Sequence, residues 1–440
     1  MKKNKFHISH FLNLRAFCAY CFFLFMVLIF FFITNPLVSL DTNAVPERII
    51  LNLTANPSQE MAVTWRTGPG IKHSRVEYMK ATPKSTRSFN ADSPDPYRNV
   101  KTMNAISEKV RIDKDIFVLH HSVILKGLES DTLYQYRVGD GKTWSEWCHF
   151  RTACKGDEPF QFIYLGDPQN DIKSFCSRTF RSAYSAAPGS RFILVTGDLV
   201  DKPWQDDLWG ELFFAAGWIA RRIPFIMVPG NHEYHRRGLF SKSPENPDKL
   251  WRVHFTLPEN GPVALVETAF YIDFQGVRLI LLNGNRKYEE QVEWLESLLS
   301  NNKSKWTILV IHQPFYSTGR KRDNSRLREL FLPLIDRYPV DLVLQGHDHS
   351  YGRTYKLRNG KVVGDSEKGT VFVVSISGPK FYGLNEKYRH LMKKIGTDVQ
   401  LFQVITVEKD ILTFESRTVT GELYDSFELE HTATREGSQL

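Results

Sequence analysis

Five apolar runs in the second half of this chain each end in residues suited to gripping a cation, and that recurrence limits the folds open to it. The runs cover residues 160–165, 191–196, 224–228, 306–311 and 340–344. They end in Gly166-Asp167-Pro168-Gln169, Gly197-Asp198, Gly230-Asn231-His232-Glu233, His312-Gln313-Pro314 and Gly346-His347-Asp348-His349. Two further runs, at 278–282 and 370–376, carry no such ending, and helical patterns at 206–222 and 289–300 lie between runs. Strands alternating with helices mean an α/β sandwich of sheets covered by helices. In such sheets ligands collect beyond the carboxyl ends of the strands, so the five endings can converge on one crevice. One Gly-Asp pair is an ordinary turn or helix cap. Five in succession, all at strand ends, are a site.

The donor types specify the chemistry. Carboxylate and carboxamide oxygens mixed with imidazole nitrogens suit zinc, manganese or iron. Their number exceeds what one ion takes, and two ions about 3.5–4 Å apart, bridged by one carboxylate, would use them all. Such a pair lowers the pKa of a shared water and neutralises phosphoryl oxygens. That is phosphate-ester hydrolysis, with a metal-held hydroxide attacking phosphorus in line with the leaving oxygen.

The rest of the chain frames this half. With 440 residues, 42% of them hydrophobic, there is material for two or three domains. The net charge of +8 is modest for the length and forms no dense basic stripe, which argues against nucleic acid as a partner. Residues 1–40 hold Lys2, Lys3, Lys5 and Arg15 ahead of an apolar stretch at 16–34, the pattern of an export signal, either cleaved or retained as a membrane anchor. The expected location is therefore secreted, periplasmic or cell-surface. Residues 45–153 read as short strands parted by turns, an all-β sandwich with Trp65 in its core and no cluster of catalytic residue types. Cys148 and Cys154 are the nearest pair for a single disulfide. Asn52 and Asn302 head glycosylation sequons that matter only in a eukaryotic source. Residues 431–440 read as a disordered tail.

The motif order resembles the calcineurin-like metallophosphoesterases, and among them the purple acid phosphatases. Residues 128–136 resemble the tyrosine-corner region of fibronectin type III-like domains, which fits the same architecture. The resemblance implies an α/β metallophosphoesterase sandwich over residues 160–430, two mixed sheets flanked by helices, behind the all-β sandwich. It further implies that Asp167 and His349 hold a first metal, that Asp198 bridges, and that Asn231, His312 and His347 hold a second. His232 would face the leaving group as the catalytic acid or transition-state stabiliser. The cofactors expected are two divalent or mixed-valence ions, and the partner a small phosphorylated substrate. Two positions depart from the family pattern. Asp201 stands where a metal-binding tyrosine is expected, which speaks against a tyrosinate-bound iron and leaves Asp201 as a helix cap or a support behind the ligands. Gln169 stands where related enzymes carry histidine, and its side-chain oxygen would join the first metal. Arg320, Lys321, Arg322 and Tyr316 are the candidates for holding substrate phosphate. A phosphodiesterase or nucleotidase on the same site is the nearer alternative reading, and a non-catalytic surface binding protein the more distant one.

Overall fold

The computed structural model describes residues 44–83, 97–235 and 244–431. The export segment, the tail beyond residue 431 and most of the loop at 236–249 therefore lie outside the described residues. No described helix is long and apolar enough to cross a membrane.

The N-terminal part folds as strands β1 (Glu47–Asn52), β2 (Met61–Thr67), β3 (Arg75–Lys80), β4 (Lys101–Asn104), β5 (Ile106–Asp113), β6 (Ile116–Leu125), β7 (Leu133–Gly139) and β8 (Cys148–Arg151). Strands β1, β2, β6 and β5 share one sheet while β4, β3, β7 and β8 form another. Trp65 is fully buried between them, and the Tyr134 hydroxyl accepts the Glu129 N–H at 2.9 Å, as the tyrosine-corner reading expects.

The C-terminal part begins with β9 (Phe160–Leu165), β10 (Ile193–Val195) and β11 (Phe225–Met227), followed by β12 (Phe270–Phe274), β13 (Val277–Leu282), β14 (Trp306–Ile311) and β15 (Leu342–Gln345). Then come β16 (Tyr351–Thr354), β17 (Leu357–Arg358), β18 (Lys361–Val362), β19 (Val371–Val374), β20 (Met392–Gly396), β21 (Leu401–Glu408), β22 (Ile411–Thr418) and β23 (Leu423–Glu430). Helices α1 (Ser177–Ala186), α2 (Asp206–Ala216), α3 (Lys249–His254), α4 (Tyr288–Ser300) and α5 (Ser325–Arg337) intervene. Strands β9, β10 and β11 run parallel in one sheet, and β13, β14, β15 and β19 run parallel in a second of seven strands. Buried on both faces, β14 is apolar throughout apart from Thr307, as parallel strands are. Alternation in β13 assigns the two faces: Leu279 and Leu281 join the core between the sheets, whereas Ile280 and Leu282 join Leu295, Leu299, Phe331 and Ile335 under α4 and α5.

The two domains share one sheet, because β1 pairs in parallel with β11 through Asn52 and Phe225 and so continues the first sheet to ten strands. The apolar core likewise runs from Trp65 to Phe162 without a break. Asn52 is itself fully buried in this seam, its amide donating to the Phe225 carbonyl at 3.0 Å, so its sequon is closed to glycosylation in the folded chain. The helix expected at 206–222 ends at Ala216, where Gly217 takes φ 54° and the chain tightens into a 3-10 turn. Cys148, Cys154 and Cys176 are all unpaired; the Cys148 thiol is turned to the Glu146 carbonyl and Cys154 accepts the Gly156 N–H, so the allowed bridge does not form.

Candidate metal centre

Every ligand-bearing turn sits at the carboxyl end of a parallel strand, and in three of them the backbone is strained. Asp167, Asp198, His347 and His349 adopt φ of 48°, 51°, 74° and 49°, a region that side-chain-bearing residues occupy only when their surroundings enforce it. Glycines make the enforcement sterically possible. A Cβ on Gly230 would stand 2.1 Å from Asp198 Oδ1, and one on Gly346 would stand 2.4 Å from Asp167 Oδ2. The hydrogen bonds come largely from Glu233, fully buried, whose carboxylate accepts the N–H groups of Asp198 (3.0 Å), Leu199 (2.9 Å) and Gly230 (2.7 Å). Glu233 belongs to the Asn-His-Glu motif, yet its role escaped the sequence, since nothing local says that its side chain turns back on the Asp198–Leu199 loop as well as its own turn.

The sequence-derived ligands converge in two overlapping groups. Asp198, His312 and His347 offer donor atoms within 4.8 Å of one another, and so do Asp167, Asp198 and His349. Asp198 belongs to both, as a bridging carboxylate must. Asn231 joins the first group, its Oδ1 lying 3.2 Å from His312 Nε2. Supporting bonds fix which nitrogen faces the centre. His312 Nδ1 donates to the Thr196 carbonyl at 2.7 Å and His349 Nδ1 to the Lys380 carbonyl at 3.2 Å, leaving both Nε2 atoms for a ligand. His347 points Nδ1 inward, 3.1 Å from His312 Nε2.

Gln169 is fully buried in the same cluster, with Nε2 3.2 Å from Asp198 Oδ2 and 3.0 Å from His349 Nε2. Its Oε1 and the Oδ1 of Asp167 are buried with no hydrogen-bond partner. Turning the amide over places that oxygen where Nε2 now stands, among the ligands. Orphaned buried oxygens beside converging imidazoles are costly unless a cation satisfies them, so the residues present fit a pair of ions.

The electrostatics agree. Burial raises both carboxyls, but His312 overcomes it at Asp198 and holds that carboxyl well below the usual range. Asp167 stays well above its ordinary value through burial and the Asp198 charge. Burial lowers an imidazole, yet Asp198 and Asp167 lift His312 to about 9. Burial takes His349 down to about 3 and, with the His312 charge, His347 well below its usual value. Neutral His347 and His349 are ready ligands, whereas His312 must give up a proton to one.

His232 stands beside this cluster. Its N–H donates to Asp198 Oδ1 at 2.8 Å and its ring Nδ1 to the Asp201 carbonyl at 2.8 Å, with Asp201 Oδ1 at 3.3 Å, so Nε2 faces Asp198 Oδ2 at 3.9 Å. Asp201 thus supports His232 rather than a metal. His235 lies against His232 with ring centroids 3.9 Å apart. Asp348 is fully buried and caps the 318–319 turn, accepting the N–H groups of Thr318 and Gly319.

The substrate candidates divide. Arg322 donates to the His347 carbonyl and lies at the centre's edge. Arg320 and Lys321 are exposed nearby. Tyr316 is not a substrate contact: it is buried in the core under α5, packed on Phe372 and Tyr388, because the residues after β14 turn into that core before the chain emerges at Arg320. His254 stacks on Trp209. Tyr351 and Arg353 both bond Asp425, away from substrate.

Fold and site together give two overlapping donor groups, sharing Asp198, that could each hold an ion. Residues 46–152 match the family model of the purple acid phosphatase N-terminal domain, and residues 160–351 that of the calcineurin-like phosphoesterases. The chain thus carries a calcineurin-like phosphoesterase domain behind a domain of the purple acid phosphatase N-terminal type. An uncharacterized protein of Mycobacterium tuberculosis is 28% identical over 348 residues, 70% of this chain, which spans 62% of the relative's length. The Fe(3+)-Zn(2+) purple acid phosphatase 12 of Arabidopsis thaliana is 28% identical over 259 residues, 55% of this chain and 53% of that protein. Among solved structures, the purple acid phosphatase PPD1 from yellow lupin (Lupinus luteus) seeds superposes with TM-score 0.72 at 19% identity, over 88% of this chain and 74% of that one.

Proposed function

We propose that this chain is an exported, binuclear metal-dependent phosphatase acting on phosphomonoesters. The observation that carries the reading is the pair of ligand groups sharing Asp198, with the His232 imidazole set beside them. Asp167, Gln169 and His349 would hold one ion and Asn231, His312 and His347 the other. When bound, such ions supply Lewis acidity toward phosphoryl oxygens and activate water at neutral pH. A mixed iron–zinc pair is the occupancy named for the Arabidopsis relative, and Asp201 in place of tyrosine speaks against a tyrosinate contact here.

The chain's own residues do the rest. His232, fixed through Nδ1 by Asp201, keeps Nε2 toward the reacting group, where it donates a hydrogen bond or a proton to the departing oxygen. Arg322 offers a guanidinium for an equatorial phosphate oxygen. Export is supported by the basic residues and apolar stretch of the first forty positions, which leave open an anchored form.

The test is turnover of phenyl phosphate against diphenyl phosphate by the metal-reconstituted chain. Faster monoester cleavage supports the reading; much faster diester cleavage moves the assignment to a phosphodiesterase. Loss of neither activity in His232→Ala and Asp198→Asn refutes the site.

A further inference from the structure

Arg48 lies in strand β1 with φ 51°, where the pairing with β2 slips between Glu47 and Ile50. A residue with a side chain keeps that conformation only when its surroundings demand it. The demand comes from across the seam between the two domains. The Arg48 guanidinium forks onto Asp206, the first residue of α2, with Nη1–Oδ1 and Nη2–Oδ2 both 2.7 Å, and Nη2 also donates to the Asp206 carbonyl at 3.0 Å. Gly210, one turn along α2, makes room for it: a Cβ there would stand 3.2 Å from Arg48 Nη2. Asp206 is shared with Arg66 of β2 at 2.7 Å, and Arg66 also pairs with Glu47. The Arg48 side chain is only 7% exposed. Burying such charges gains little stability over apolar packing, whereas a two-pronged pair fixes geometry.

Arg48 makes a second contact, its Nη1 lying 3.0 Å from His254 Nε2. His254 Nδ1 donates to the Leu250 carbonyl at 2.6 Å, and burial, with His120 and Arg48 beside it, keeps the ring neutral, so Nε2 accepts from the guanidinium. The His254 ring stacks on Trp209 with centroids 4.9 Å apart, and the Trp209 indole N–H donates to the Pro203 carbonyl at 2.7 Å. Arg48 thus grips the segment 201–206 at two points, Asp206 directly and Pro203 through His254 and Trp209. The Gln205 N–H donates to the Lys202 carbonyl at 3.0 Å and closes the segment into a tight turn. Asp201 heads that segment, and its carbonyl accepts the His232 Nδ1–H at 2.8 Å.

We propose that Arg48, supplied by the all-β domain, is a positioning residue for His232: it fixes the Asp201 carbonyl that keeps the imidazole aimed at the departing oxygen. The inference rests on the phosphatase reading above and gives the all-β domain a part in catalysis. A residue acting through a leaving-group acid matters when the leaving group departs poorly and matters little when it departs as a stable anion. Phenyl phosphate is the first kind of substrate and dinitrophenyl phosphate the second.

The experiment measures both substrates on the metal-reconstituted chain. Arg48→Asn removes the guanidinium, suits positive φ and leaves Asp206 its Arg66 partner. Trp209→Phe keeps the stack on His254 and deletes only the N–H to Pro203. In Arg48→Asn, kcat for phenyl phosphate should fall about tenfold with KM within about twofold, while kcat for dinitrophenyl phosphate changes less than about twofold. Trp209→Phe should show the same substrate bias with a loss of about threefold, and supplies the comparison if Arg48→Asn does not fold. Placed in a His232→Ala background, either change should cost less than about twofold more, since the group it positions is gone. Equal losses on both substrates, the same loss with and without His232, or no loss in either variant overturn the positioning role while leaving the phosphatase standing. Absence of turnover on either substrate in the wild type overturns the phosphatase reading and the role of Arg48 with it.

Discussion

Glu233 is the residue whose loss best separates support of the metal centre from ligation. Its carboxylate takes three backbone N–H groups, at 2.7–3.0 Å, from the two turns that present Asp198 and Asn231. A hydrogen bond to a charged group contributes about 1.5–3 kcal/mol net, and an orphaned buried donor costs about 1–3 kcal/mol. In Glu233→Gln, the carbonyl oxygen can take the place of Oε2 and keep Asp198 and Gly230, but the amide nitrogen then faces the Leu199 N–H. The expected loss is about 2–4 kcal/mol of stability in the metal-free chain. Glu233→Ala strands all three donors while Asp198 sits at φ 51°, so roughly 5–8 kcal/mol is expected, approaching the whole stability of an ordinary domain. Because the freed turns carry the bridging ligand, metal affinity in Glu233→Gln should fall about 10–100-fold. Urea unfolding of the metal-free chain gives the first number and calorimetric zinc titration the second. Unfolding within about 0.5 kcal/mol of wild type, together with unchanged zinc affinity in Glu233→Ala, refutes the reasoning.

Other expectations follow from single contacts. Removing the Asp201 side chain leaves the carbonyl that accepts from His232, so Asp201→Ala should cost roughly three- to tenfold in kcat, against roughly 100- to 10,000-fold for His232→Ala; steady-state assays on phenyl phosphate distinguish them. Tyr316→Phe should leave KM within twofold, since the ring packs in the core; a larger rise in KM would restore Tyr316 as a substrate contact. Burial raises Glu267 from 4.5 to about 7, partly offset by the Leu257 N–H and Arg252. The folded chain then binds the extra proton between those values, so this group's stabilising contribution is full below about pH 4.5 and is lost as pH rises through 7. Glu267→Gln should therefore gain stability relative to wild type at pH 8 but not at pH 5, by at most about 3 kcal/mol; denaturation midpoints that shift equally at both values contradict this.

The candidate ligands were legible because their motifs end apolar strands, and strand ends converge by topology alone. The rule brought the strand-end motifs together, and the resemblance picked out Asp167, Asp198, Asn231, His312, His347 and His349 among their residues. What stayed hidden depends on where side chains turn after the strand ends. Glu233 folds back on the Asp198–Leu199 turn 34 and 35 positions away, Tyr316 dips into the core before Arg320 surfaces, and Lys380 and Tyr382 reach the centre from a segment with no motif. The seam between domains was hidden for a related reason. Polar linker composition at 153–159 marks a break along the chain, but Asn52 and Phe225 join the sheets far from it, and Arg48 and Arg66 of the first domain close on Asp206 of the second.

The central claim is a two-ion centre bridged by Asp198, and metal content after reconstitution tests it most directly. Elemental analysis should find two equivalents of ion per wild-type chain and one or fewer in Asp198→Asn, since both ligand groups share that carboxylate. One equivalent or none in the folded wild type, or two in Asp198→Asn, would contradict it.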